Sequence, residues 1–138
     1  MSSKNTIFAD LAAGVLWGWL SMVVNAVTGI FPPETGFVHD LGTFGLAGAV
    51  NAFVAGGLLS IFMTRLPVRS NLLKAVMISV FVWLALRAGA MMLSHIDPER
   101  YHVATWESLQ GLVLSALLGA LIWLGRKVVR NRRAELAC

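Results

Sequence analysis

Residues 41–63 read LGTFGLAGAVNAFVAGGLLSIFM, with no charged side chain from end to end. A helix needs about 20 apolar residues, at 1.5 Å each, to cross the roughly 30 Å hydrocarbon core of a bilayer. This stretch is long enough. In helical form it also places Gly48, Ala52, Gly56 and Ser60 in one row, each four positions from the last. Such rows let two backbones approach closely, which is how helices associate in lipid, where burying apolar surface supplies no drive.

Three more stretches of the same character lie around it, at about 7–31, 72–94 and 108–125. Between them the breaks are chemically explicit. Pro32-Pro33 cannot donate the backbone N–H that a continuing helix needs, and Leu66-Pro67 and Asp97-Pro98 interrupt in the same way. Ser108 or Glu107 is expected to open the fourth helix by accepting from its first N–H groups. The first stretch exceeds the roughly 7–15 apolar residues of a signal peptide, so it is expected to be retained as a span. Composition agrees: 57% of the 138 residues are hydrophobic, 13% are charged and mean hydropathy is +0.74. A soluble domain carries about 25% charged residues, so the bilayer is the expected solvent.

Orientation follows from where Lys and Arg fall. The connection 32–40 has neither, and 95–107 has Arg100 against Asp97, Glu99 and Glu107. The middle connection and its flanks hold Arg65, Arg69 and Lys74, and Arg126, Lys127, Arg130, Arg132 and Arg133 fill the end of the chain. Cytoplasmic loops are the basic ones. The expected fold is an all-α membrane protein: a four-transmembrane-helix, antiparallel, up-down-up-down bundle, N-in and C-in, forming a single transmembrane domain with a basic cytoplasmic tail at 126–138. A bacterial inner (cytoplasmic) membrane is the expected location. The formal charge of +4 is thereby read as a topology signal facing anionic lipid, not as a nucleic-acid surface. Cys138 is the single cysteine, so a disulfide within the chain is excluded.

Close-packing positions recur beyond the first row. Gly14 and Gly18 form a GxxxG, and Gly111, Ser115 and Gly119 repeat the four-residue spacing in the fourth span. The partner helix of each row lies either in this chain or in another.

Arg87 stands alone as a cation inside a span, where insertion costs at least about 2.5–3.5 kcal/mol. Counting from the expected helix ends, Asn25, Asn51 and Ser115 fall at a similar depth, so each span supplies one polar group to one layer. That layer reads in two ways. It is an interhelical hydrogen-bond layer that fixes the bundle, or a ligand-binding site for an anion, a lipid phosphate or another polar ligand. Asp10, near the inner end of the first span, is expected to meet Arg65, Lys74 or its own helix N-terminus.

His39, His95 and His102 fall in the outer connections beside Asp40 and Asp97, which makes them weak metal candidates with no zinc spacing. Trp17, Trp19 and Trp83 are mid-span, whereas Trp106 and Trp123 sit at interface positions. Ser21, Ser79 and Ser115 have no histidine at their depth to act as base, so no catalytic residue is assigned and an enzyme is not expected. No cofactor is identified, and bound lipid is compatible with the composition. Length and four short-looped spans resemble the general plan of small multidrug-resistance transporters. Those carry a membrane glutamate in the first helix, where this chain has only Asp10 close to the end.

The expected function is that of an accessory or assembly subunit of a larger membrane complex, or of a homo-oligomer, with the bilayer and other transmembrane helices as partners. The alternative is a small transporter or channel for an anionic or amphipathic solute, working through the polar layer around Arg87.

Overall fold

The computed structural model describes residues 3–29, 36–94 and 106–138. They form four helices: α1 (Ser3–Thr28), α2 (Phe37–Phe62), α3 (Asn71–Ser94) and α4 (Trp106–Ala137). Each contains a segment long and apolar enough to cross a membrane.

The ends differ from the sequence reading in instructive ways. α1 stops at Thr28 because Gly29 turns into the left-handed region at φ 71°. Its N–H still donates to the Asn25 carbonyl at 2.9 Å, a helix C-terminal closure that glycine adopts at little steric cost. The expected stop at Pro32-Pro33 lies outside the described residues. α2 begins at Phe37, earlier than position 41, so His39 and Asp40 belong to its first turn. Ser70 precedes α3 and accepts from the Lys74 N–H through its carbonyl at 3.0 Å. The basic stretch 126–138 continues α4 as helix to Ala137.

α1 packs against α2 and α4, α3 packs chiefly against α4, and α2 meets α3 less extensively. No contact joins α1 to α3 among the described residues. The register is legible from close approaches. Gly14 meets Gly48 and Ala52, while Gly18 meets Phe44. Ala75 meets Gly119, and Trp83 meets Gly111. Gly125 lies against Ala9, and the Trp17 indole N–H donates to the Leu114 carbonyl at 2.5 Å. In the α1–α2, α3–α4 and α1–α4 pairs, residue numbers rise on one partner as they fall on the other.

The axis is filled. Ala52, Leu59, Ile78, Leu118 and Ile122 are buried together. At the α1–α2 crossing, a methyl group on Gly14 or Gly48 would overlap the opposing carbonyl. The two backbones are therefore as close as side-chain-free positions allow. Outside, every helix exposes large apolar groups, among them Phe8, Phe53, Phe81 and Val113. In water this would be an extensive apolar surface; beside lipid chains it costs nothing.

Candidate functional site

Polar side chains gather at the two ends of the bundle. One end, called basic here, collects the start of α1, the α2–α3 connection with the first turn of α3, and the later part of α4. Every Lys and Arg except Arg87 and Arg100 belongs to those segments. The far end collects the last turns of α1 and α3 and the first turns of α2 and α4.

At the basic end, Asp10 of α1 is buried on the face that also buries Thr6 and Ala13. Arg126 of α4 grips it at two points. Nε donates to Oδ1 at 2.8 Å and Nη2 donates to Oδ2 at 2.6 Å. The same Nη2 also donates to the Gly56 carbonyl at 2.7 Å and to Ser60 Oγ at 3.1 Å, so α2 joins the cluster. Ser60 in turn donates to the Gly56 carbonyl at 2.9 Å. Gly56 makes room for this arrangement, since a methyl group there would overlap the Asp10 carboxylate. Side-chain exposure is 13% for Arg126 and 6% for Asp10. A two-point guanidinium–carboxylate contact with extra acceptors is the geometry in which attraction offsets the loss of hydration.

This corrects the expected partners of Asp10. Lys74 donates instead to the Met63 carbonyl at 2.6 Å. The helix N-terminus is also excluded, because the first turn of α1 holds no acidic residue. Arg126, counted with the tail in the sequence, lies inside the bundle. A signal for it existed. A buried carboxylate calls for a cation at its own depth, and Arg126 is the first basic residue after the fourth apolar run.

At the far end, Gln110 Nε2 of α4 donates to Asn25 Oδ1 of α1 at 2.5 Å. Arg87 Nη2 of α3 donates to Ser108 Oγ of α4, also at 2.5 Å. α2 contributes Asp40, which is buried, with His39 Nδ1 at 3.9 Å from Asp40 Oδ1 and exposed. Gln110 lies inside the fourth apolar run, where the sequence reading singled out only Ser115 as a polar group.

The structure brings together only part of the expected layer. Asn25 and Arg87 share the far end. Asn51 is half-buried next to Ala52, which meets Gly14, so it stands eleven residues along α1 from Asn25, roughly 16 Å away. Ser115 is buried mid-bundle and donates back to the Leu112 carbonyl at 2.8 Å. Ser21 likewise donates to the Trp17 carbonyl at 2.8 Å. Both hydroxyls are thus bonded within their own helices.

The small residues face inward. Gly14, Gly18, Gly48 and Ala52 lie between α1 and α2, Gly56 lies beside the ion pair, and Gly111 and Gly119 face Trp83 and Ala75. His95 and His102 lie outside the described residues. Among the described residues no group of three His, Cys, Asp or Glu is placed to hold a metal ion. Comparison with protein-family models, with curated proteins and with solved structures found no match.

Proposed function

We propose that this chain is an integral membrane protein that acts by lateral association, as an accessory or assembly subunit of a larger membrane complex or as a homo-oligomer. It would cross the bilayer up-down-up-down with both termini in the cytoplasm. One observation carries the reading: α3 is the helix least covered by its own chain. Only 17% of its span is buried, against 28–33% for the others. On it, Ala85, Ala88 and Gly89 are exposed, and among the described residues nothing lies within 4 Å of the Cβ position at Gly89. Small residues on α1 and α4 are largely occupied by neighbouring helices of the same chain. Ala75 is covered by α4, but Ala85, Ala88 and Gly89 remain open to another transmembrane helix, the partner that small exposed positions suit in lipid.

Purification in mild detergent tests it. A subunit brings a stoichiometric partner, a homo-oligomer elutes as a multimer, and Gly89→Leu releases either. A monomer unaffected by Gly89→Leu would defeat the association reading. Topology is tested by reporters at Asn5, within 65–71 and after Arg133, all expected in the cytoplasm, and at Gly36 and Glu99, expected outside.

A second reading, a small carrier for an anionic or amphipathic solute, is favoured by one observation. All four helices bring a polar side chain to the far end: Asn25, Asp40, Arg87 and Gln110. The filled axis counts against a continuous path.

A further inference from the structure

At the basic end, a cavity of about 100 Å³ opens between the last turn of α2, the first residue of α3 and α4. Its apolar wall is Leu59 and Met63, and its polar rim is Asn71, Trp123, Lys127 and Arg130. Arg126 closes the back, its charge matched by Asp10. The rim cations differ from it. Lys127 and Arg130 are exposed and form no salt bridge to a carboxylate among the described residues. Lys127 Nζ stands 4.9 Å from the centre of the Trp123 ring, which holds the ammonium at the mouth of the cavity. One turn separates Lys127 from Arg130 on α4, so two positive charges border one opening.

We propose that this cavity binds the phosphate of an anionic phospholipid from the leaflet at the basic end. The proposal is independent of the association reading, since α3's open face takes no part in it. Two features decide the chemistry. Lys127 and Arg130 supply charge and donors for a phosphate oxygen, with the Asn71 amide as a neutral donor beside them. The apolar wall is the second feature. Leu59 and Met63 stand on the α2 side of the cavity, and exposed Phe62 and Leu73 lie close by in sequence, so acyl chains have apolar surface leading away from the headgroup. A free phosphate would use only the first feature; a phospholipid uses both. Basic cavities between membrane helices at a charged face suit anionic headgroups.

The test is native mass spectrometry of the full chain released from detergent, titrated with phosphatidylglycerol or phosphatidylcholine. The expected result is tighter binding of phosphatidylglycerol, weakened about 30-fold in Lys127→Gln/Arg130→Gln, because each cation near a membrane surface is worth about a factor of five. Lys127→Arg/Arg130→Lys, which keeps both charges, should restore most of it. Both pairs lie on exposed positions, and thermal melting checks that the fold is retained. Millimolar inorganic phosphate separates the two sources of the anion: the lipid adduct should survive it. Loss of the adduct to inorganic phosphate would make the cavity a free-phosphate site and overturn the lipid assignment. Equal binding of the two lipids, or an unchanged adduct in the Gln pair, would overturn the site altogether.

Discussion

The basic end and the far end both tie helices together through polar side chains, but with opposite electrostatics. At the basic end, an anion and a cation are buried as a pair, with α1, α2 and α4 all contributing acceptors or donors. At the far end, a neutral amide pair links α1 to α4, and half-buried Arg87 reaches a hydroxyl of α4. The difference concerns dependence. Each member of a buried ion pair makes the other tolerable, so the loss of one strands its partner. A neutral hydrogen bond in a membrane protein averages below 1 kcal/mol, because competing partners are at hand when it breaks. The Asp10–Arg126 pair is thus a structural lock, whereas the Asn25–Gln110 bond can be rearranged at small cost.

Breaking the lock gives the largest expected effect. Asp10→Leu should destabilise the chain by about 3–5 kcal/mol, read as thermal unfolding in detergent. Asp10→Leu combined with Arg126→Met removes both charges and should recover much of that loss. Simple additivity of the two single variants would show that the pair is not a unit.

Two adjacent glycines sharpen the comparison at intermediate size. Gly56→Ala pushes a methyl group into the Asp10 carboxylate and should cost about 1–3 kcal/mol by overpacking. Gly57, with nothing among the described residues within 4 Å of its Cβ position, should gain about 0.5–1 kcal/mol from Gly57→Ala, since alanine favours helix. Equal melting temperatures for the two variants would mean that the carboxylate moves aside freely.

The far end should respond least. Asn25→Leu or Gln110→Leu is expected to cost about 1 kcal/mol or less. Arg87→Leu should insert and fold, and comparison with Arg87→Lys asks whether the planar fork matters beyond its charge. Bound species retained by wild type and lost from both variants would support the carrier reading. The same species in all three would retire it. A melting drop for Arg87→Leu as large as that for Asp10→Leu would erase the contrast between the ends.

Much of the fold was legible because the bilayer imposes a length. Apolar runs of about 20 residues and proline breaks mark four helices with little ambiguity. The ends were less so. Gly29, not Pro32-Pro33, closes α1, because a glycine that can turn left-handed stops a helix as well as a proline does. The polar layer was legible only in part. Depth counted from assumed ends gives neither the face of a helix nor its register, so Asn51 and Ser115 were placed with Arg87, although they stand elsewhere. The Asp10–Arg126 pair was hidden for another reason. A basic residue just past an apolar run reads as a topology signal, and the two residues are 116 positions apart. No local pattern joins them. What joins them is the α1–α4 register, set by the contacts of Ala9 with Gly125 and of Trp17 with Leu114.

α4 is 32 residues long, about 48 Å, against a hydrocarbon thickness near 30 Å. Because Arg126 is pinned to Asp10 and Gly56, the turns that follow inherit the bundle's own axis and azimuth. Those turns continue the rod of α4 as far as Ala137. Its tip carries the exposed, sole thiol of the chain, Cys138, roughly 18 Å along the rod from the pin. A probe attached there would act as the hand of a dial: a narrow distance distribution to the far end reports a locked pin, and a broad one reports its release.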